Sequence, residues 1–323
     1  MARFLVIQTA FLGDAVLTLP LLGRLRAAFP SAELHWIVRS DFQELFAHHP
    51  WEIRIWTWDK SWGGWLRLYR ELRQDRWEAI LVVQRFFRMG LLGLSLPAKH
   101  RITYDKNPLS FAYTHRVRHE FRAGLHEVGR VLALGSPLGV SPEPPPLPWL
   151  CPTLRLEVQK PYIVLSPTSR WPTKEAPWSY WADFLRSLPP SLHVYVTGLK
   201  GDRDRVEPLC RYHPRAANVA GQLSLPELVA LVAGAHRVYT VDSAMTHIAS
   251  ALGVPTTTVF CSTIPAFGFG PLAPHSEIVE VKEPLACRPC GLHGKVKCPI
   301  GSFPCGYKLP KLEFRESYRE VFQ

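Results

Sequence analysis

Three short segments of this 323-residue chain carry side chains suited to phosphate binding and proton transfer. The first is Gln8-Thr9-Ala10-Phe11-Leu12-Gly13-Asp14, which follows an apolar strand-like run and leads into a helical pattern. A carboxylate at a helix start is either a cap that suits the helix dipole or a base held at the sheet edge. The second is Ser166-Pro167-Thr168-Ser169-Arg170-Trp171-Pro172-Thr173-Lys174. Hydroxyls and backbone N–H groups followed by a lysine suit a phosphate, with Lys174 as the point charge. Solvated Ser/Thr/Pro loops with a lysine share this composition. The third is Val241-Asp242-Ser243-Ala244-Met245-Thr246-His247, a strand end running into a helix. If the helix starts near Ser243, the N–H groups of Ala244, Met245 and Thr246 point outward and form an anion site. In the structural reading, Asp242 is a cap and His247 faces the core.

Two further features sit near these. The loop Gly198-Leu199-Lys200-Gly201-Asp202 follows another strand candidate and carries in Asp202 an acid of the type that accepts from ribose hydroxyls in other nucleotide sites. Four of the seven cysteines, Cys287, Cys290, Cys298 and Cys305, crowd into the C-terminal part of the chain. A C-x-x-C pair followed by two more thiols fits structural zinc or an iron–sulfur cluster, although the later intervals are not those of a zinc ribbon. Disulfides and free thiols stay open beside the metal. The chain has no G-x-G-x-x-G after its first strand and so lacks the fingerprint of a dinucleotide-dependent dehydrogenase.

The elements that must position these segments alternate between short apolar runs and amphipathic helical stretches, the mark of parallel α/β layers. In the first half, strands are predicted at Phe4–Ile7, Leu34–Val38, Ile53–Thr57, Ala79–Val83 and Arg101–Tyr104. Helices are predicted at Ala15–Ala28, Phe42–His48, Trp62–Gln74, Met89–Leu96 and Leu125–Leu134. Ser141–Trp149 holds Pro142, Pro144, Pro145, Pro146 and Pro148, which suits neither a helix interior nor a central strand and marks a linker. The pattern then restarts. Strands are expected at Tyr162–Ser166, His193–Thr197, Arg237–Val241 and Thr256–Phe260, and helices at Ser179–Leu188, Asp202–Tyr212, Leu225–Ala235 and Ala244–Leu252. Two domains follow, residues 1–150 and 151–323. Each is an open parallel sheet, facing the other across a cleft, with ligands at the C-terminal strand ends.

Hydrophobic residues make up 47% and charged residues 20%, enough for sizeable cores. No run approaches the roughly 18 apolar residues of a membrane helix, and Met1–Thr9 runs straight into a strand-like segment, so neither a span nor a signal peptide is expected. A cytoplasmic protein is expected. The net charge of +11 is spread along the chain without a basic run, which disfavours a nucleic-acid tail and leaves phosphorylated molecules or an anionic membrane surface as partners.

Gly13-Asp14 with Leu19-Pro20-Leu21-Leu22 resembles the "GD…T-x-P-L-L" signature of the bacterial lipopolysaccharide heptosyltransferases, glycosyltransferase family 9. Asp242–His247 is similar to that family's "D-[ST]-G-x-x-H" element, Thr168–Trp178 to its "T…K…W" segment, and Gly221–Leu225 to its "G-x-x-[ST]-L" turn. Ala244 stands where the family usually has Gly, and Lys174 lies one residue further from Thr168. The resemblance implies a GT-B fold and an inverting, metal-independent transfer from ADP-heptose to a lipopolysaccharide-core acceptor. It also implies Asp14 as general base and a donor site of Thr168, Ser169, Lys174, Asp202, Leu223, Asp242, Ser243, Ala244, Met245, Thr246 and His247. Leu223 resembles the apolar position under the nucleotide base.

The acceptor, a glycolipid or oligosaccharide bearing phosphate, is assigned to the first domain. There Trp51, Trp56, Trp58, Trp62, Trp65 and Trp77 accompany Arg39, Arg54, Arg67, Arg70, Arg73 and Arg76. Stacking aromatics and forked arginines suit such a ligand, though core tryptophans and solvated arginines give the same composition. A basic face also suits peripheral contact with the inner leaflet. Lys311–Gln323 reads as a helix packing back on the fold, by analogy alone. Three rival readings remain: a sugar-nucleotide epimerase, a transferase using another sugar nucleotide and a different glycan, and a non-catalytic scaffold.

Overall fold

The computed structural model describes residues 1–47, 49–121 and 124–315. The chain divides into two compact units, Met1–Leu150 and Cys151–Gln323.

The first unit is a six-stranded parallel sheet of β1 (Arg3–Ile7), β2 (Glu33–Arg39), β3 (Ile53–Trp58), β4 (Trp77–Val82), β5 (Ala98–Tyr104) and β6 (His115–Val117), ordered β3-β2-β1-β4-β5-β6. Its helices are α1 (Leu12–Val16), α2 (Leu19–Ala28), α3 (Gln43–Phe46), α4 (Trp62–Leu72), α5 (Phe87–Ser95) and α6 (Glu127–Ala133). Strands covered on both faces by helices read as continuous apolar runs, and Phe4, Leu5, Val6 and Ile7 of β1 are fully buried. Strand order reverses between β1 and β4, whose registers pair Ile7 with Val82. That reversal opens the crevice where ligands bind in such sheets.

The second unit repeats the plan with β7 (Tyr162–Ser166), β8 (His193–Val196), β9 (Ala216–Asn218), β10 (Val238–Val241), β11 (Thr256–Phe260) and β12 (Glu277–Glu280), ordered β12-β11-β10-β7-β8-β9. Its helices are α7 (Trp178–Ser187), α8 (Arg203–Cys210), α9 (Leu225–Gly234), α10 (Ala244–Ala251) and α11 (Pro304–Tyr307). Here the reversal lies between β7 and β10. Each unit has its own core, one built around Leu5, Ile80 and Trp77, the other around Ile163, Trp181 and Tyr239.

Four differences from the sequence reading have physical causes. The helix expected over Ala15–Ala28 is two helices, because Pro20 has no N–H to give and α2 restarts with it in the first turn. Strands β6, β9 and β12 were not foreseen. All three are edge strands with half-exposed or exposed residues, so they carry no apolar run to announce them. The proline-rich stretch packs back on the first unit. Arg24 Nε donates to the Glu143 carbonyl at 2.5 Å, and the buried Trp149 donates from Nε1 to the Pro145 carbonyl at 2.8 Å. Finally, residues 311–315 are not helical, and the rest of the expected terminal helix lies outside the described residues, as does His48 at the end of the expected Phe42–His48 helix. Among the described residues no helix is long and apolar enough to cross a membrane.

Candidate active site

In the first unit, Asp14 lies in the first turn of α1, directly beyond the C-terminal end of β1. Phe11 N–H donates to its Oδ2 at 2.9 Å, so the carboxylate does cap its own turn. It does more than cap. Burial pushes its carboxyl up to about 6; the Phe11 amide opposes this, Glu127 adds to it and Arg85 offsets part. The turn is fixed across the switch point by Thr9, whose N–H and hydroxyl both donate to Gln84 Oε1 at 3.0 and 2.5 Å. Glu127 is itself held by Arg130 Nε at 2.5 Å, with the Arg130 side chain 1% exposed, and lies 3.8 Å from the His119 ring nitrogen. The result is a carboxyl held near 6 that feels the charge of a buried cluster distant from it in sequence.

The Trp and Arg cluster resolves mostly into structure. Trp58 and Trp77 are buried in the core, and Trp56 donates from Nε1 to His35 Nδ1 at 3.0 Å. Trp51 lies against Gly23, and Arg54 and Arg73 stack on Trp56 and Tyr69. Trp62 differs: it is 54% exposed, with the Arg88 guanidinium 4.8 Å from its ring and the exposed Phe86 and Phe87 close by in sequence to Arg88.

In the second unit, the loops after β7 and β10 meet. Lys174 Nζ lies 2.7 Å from Asp242 Oδ2, with both side chains largely covered. The same oxygen accepts from the Thr263 hydroxyl at 2.6 Å, and Thr263 stands just beyond β11. A lysine paired with a carboxylate therefore sits at the switch point of this sheet. Its neighbours organise the adjoining loop. Ser169 N–H donates to Glu175 Oε1 at 3.0 Å, and Arg205 bridges Glu175 Oε2 and Asp202 Oδ1 at 2.6 and 2.9 Å. Asp202 Oδ2 accepts from the Thr168 hydroxyl and Leu199 N–H, both at 3.1 Å. Two bonded sets result, Lys174 with Asp242 and Thr263, and Thr168 and Ser169 with Asp202, Arg205 and Glu175, adjoining where Glu175 follows Lys174 in the chain.

The start of α10 corrects part of the sequence expectation. Ser243 caps the helix, accepting from Met245 N–H at 3.4 Å, and Thr246 N–H donates to the Ser243 carbonyl at 3.1 Å. Two of the three amides expected to point outward are therefore engaged in the cap. The Thr246 hydroxyl is fully buried and donates to the Val241 carbonyl at 3.2 Å, so it pins the helix to its strand. Ala244 is the first helical residue, and His247 is buried with its ring 6.1 Å from Phe269. Leu223, half-buried, sits between Gly221 and the α9 cap Ser224. Gly221 has φ +66°, and its N–H donates to the Gly198 carbonyl at 3.0 Å, which ties the Leu223 turn to the loop after β8. The "G-x-x-S-L" pattern is thus a left-handed turn followed by a capping box of Ser224 and Glu227.

Of the alternatives open for the cysteines, the structure shows free thiols and, among the described residues, gives the metal no support. Cys287, Cys290, Cys298 and Cys305 are free thiols, and among the described residues no group of three or more His, Cys, Asp or Glu side chains is placed to hold a metal ion. The set is split by burial. Cys305 has joined the core of the second unit, where desolvation pushes its thiol up to about 11, while the other three stay half-buried in loops. The residues that sequence reasoning missed are Glu127, Glu175, Arg205, Thr263 and Arg288. Only Thr263 carried a signal, a hydroxyl directly past a strand end.

Two sheets of this strand order, each with charged groups at its switch point, have the architecture of the two-Rossmann-domain GT-B class. Residues 65–295 match the profile of Glycosyltransferase family 9 (heptosyltransferase), and the chain belongs to that family. Lipopolysaccharide heptosyltransferase 1 of Pseudomonas aeruginosa is 26% identical over an alignment covering 96% of this chain and 86% of that protein. Among solved structures, E. coli heptosyltransferase WaaC with ADP superposes with a TM-score of 0.73 at 20% identity, covering 85% of this chain and 92% of that one. E. coli ADP-heptose lps heptosyltransferase II gives 0.72 at 21% identity, over 89% and 95%.

Proposed function

We propose that this glycosyltransferase moves a heptose from ADP-heptose to a lipopolysaccharide-core acceptor, with inversion at the anomeric carbon and without a metal. The observation that carries the reading is the Lys174–Asp242 pair at the β7/β10 switch point. Transfer loads negative charge onto a departing diphosphate, and fixed positive charge aimed at it is the largest stabilising contribution such a site can offer. Lys174 supplies that charge, Asp242 and Thr263 hold it, and Thr168, Ser169 and the start of α10 at Ala244 complete the diphosphate site. Asp202 and Leu223 face the nucleoside.

Asp14 takes the proton of the acceptor hydroxyl as its oxygen bonds the anomeric carbon and the bond from that carbon to the diphosphate oxygen breaks. A carboxyl held near 6 is largely ionised at neutral pH yet basic enough to accept that proton. Residues 1–150 therefore carry acceptor activation and residues 151–323 the donor. The chain's charge of +11, with Trp62, Phe86 and Phe87 exposed near Arg88, supports peripheral contact with an anionic leaflet on the cytoplasmic side, where a phosphorylated glycolipid acceptor lies. The relatives' names support the choice of sugar and acceptor.

The test is to incubate the enzyme with ADP-heptose and a heptose-free core acceptor in chelator and to weigh the product. A gain of one heptosyl residue supports the reading. Turnover only with a UDP- or GDP-sugar, or only with added metal, rejects it.

A further inference from the structure

The segment after β12 turns back over the C-terminal ends of the central strands, and its bonds converge on the Lys174–Asp242 pair from two sides. On one side, the Arg288 guanidinium is almost fully buried and caps the end of β11. Nε donates to the Cys261 carbonyl at 2.7 Å and Nη2 to the Thr263 carbonyl at 2.7 Å, with the Phe260 carbonyl at 3.3 Å. Glu280 Oε2, 2.6 Å away, balances its charge. Thr263 then donates to Asp242, and Asp242 pairs with Lys174.

On the other side, Cys290 N–H donates to the Ser262 carbonyl at 2.9 Å, and the Ser262 hydroxyl donates to Thr173 Oγ1 at 3.0 Å. Thr173 bonds the Lys295 backbone through both its own backbone and its hydroxyl. Its N–H donates to the Lys295 carbonyl at 3.2 Å, and Lys295 N–H donates to its hydroxyl oxygen at 2.7 Å. Thr173 is the residue before Lys174. Between these anchors, Gly294 has φ +74°, and a Cβ there would stand 3.0 Å from Ser262 Oγ, 3.1 Å from Thr173 Oγ1 and 3.2 Å from Lys174 Cγ.

We propose that residues 287–295 form a strap that sets the position of Lys174 and Asp242, and that Arg288 is its positioning residue. The proposal rests on the donor-site reading of that pair. Arginine suits the task because its planar fork can donate to several carbonyls at once, whereas an ammonium on a flexible stem cannot hold them in one geometry. A buried, charge-balanced guanidinium on the carbonyls of one loop fixes where that loop's hydroxyl stands. That hydroxyl fixes the carboxylate, and the carboxylate fixes the lysine. The strap thus acts through Thr263 on one side and Thr173 on the other.

The test measures ADP affinity by calorimetry and the kinetic constants of the full-length enzyme for Arg288→Lys, Thr263→Val, the double variant and Lys174→Ala. The expected result is that Arg288→Lys and Thr263→Val each weaken ADP binding and raise the donor KM about tenfold, leaving the acceptor KM unchanged. The double variant should be no worse than the poorer single one, because both changes cut the same chain of bonds. Arg288→Lys with wild-type ADP affinity, or effects of the two changes that multiply, would overturn the strap. If Arg288→Lys does not fold, Thr263→Val and Gly294→Ala decide: wild-type ADP affinity in both rejects the proposal, and weakened affinity in both supports it. Lys174→Ala separates the two levels of the argument. Undiminished ADP affinity there sinks the donor-site reading itself, while a loss there with none at Arg288, Thr263 and Gly294 sinks the strap alone.

Discussion

Asp14, in the first turn after β1, lies close enough to the buried Glu127 of α6 for that carboxylate's charge to raise its proton affinity. Burial does most of the raising, Arg85 offsets part, and the outcome is a carboxyl near 6 in a unit whose sheet order marks that turn as a ligand site.

The first prediction concerns activity against pH. A base must be ionised, so kcat/KM should rise with pH through about 6 and flatten above 7, provided Asp14 takes the acceptor proton. Asp14→Asn should lower kcat by about 10²–10⁴-fold and remove the rising limb. A pH–rate profile of both proteins checks this; an unchanged limb in the variant removes Asp14 from the role.

The same shift predicts the pH dependence of stability. The folded carboxyl titrates at about 6 against 3.8 for the free group, so the fold binds the proton more tightly than the unfolded chain. Its relative contribution is whole below 3.8 and is lost as pH rises through about 6. At about 1.4 kcal/mol per unit, an ionised Asp14 costs the fold about 3 kcal/mol at pH 8. Asn accepts the Phe11 amide bond without that charge. Asp14→Asn should therefore melt higher than wild type at pH 8 and lose the advantage by pH 4. Equal melting curves at pH 8 would show that the carboxylate is not held in a desolvated place.

Glu127 tests the cluster behind Asp14. Its carboxylate sits against Arg130, and removing it leaves a buried guanidinium without its counter-charge. Glu127→Gln should cost about 3–5 kcal/mol of stability, read by denaturant titration. It should also move the rising limb of the rate profile to lower pH, since one source of the upward shift is gone. A destabilised variant with an unmoved limb would leave Glu127 a purely structural residue.

Much of this was legible in the sequence, and the illegible part has one cause. The interior strands announce themselves as apolar runs because both faces are covered, so Tyr162–Ser166 and Thr256–Phe260 appear where expected. The edge strands Ala216–Asn218 and Glu277–Glu280 are wetted and do not. Asp14, Lys174 and Asp242 could be singled out because each lies on the segment that leaves the C-terminal end of a strand, where this fold places ligands. Their partners could not. Glu127 lies far along the chain from Asp14, and Thr263 and Arg288 are joined to Lys174 only by folding. Spacing along a chain says nothing of burial, so the sequence could not tell that Cys305 goes to the core while Cys287, Cys290 and Cys298 stay half-buried.

Gly221 gives a prediction for the nucleoside side of the donor site. It stands at φ +66°, and a Cβ there would lie 2.3 Å from Lys200 Cα. Backbone cannot retreat as a side-chain tip does. Gly221→Ala should cost about 1–2 kcal/mol from the left-handed conformation alone, more with the overlap, and should weaken ADP binding by displacing Leu223 and the loop after β8. Thermal melts with and without ADP check both parts. A variant as stable as wild type would mean that the turn can move away from Lys200.

The most direct test of the central claim is the shift in melting temperature produced by a panel of nucleoside diphosphates and their sugars, in wild type and in Lys174→Ala. A ligand at about 100 times its Kd adds about 2.7 kcal/mol to the stability of the folded state, a shift easily resolved. The account predicts that ADP and ADP-heptose stabilise the wild type above all other nucleotides and that Lys174→Ala responds far less. A preference for UDP or GDP, or an equal response in the variant, would contradict it.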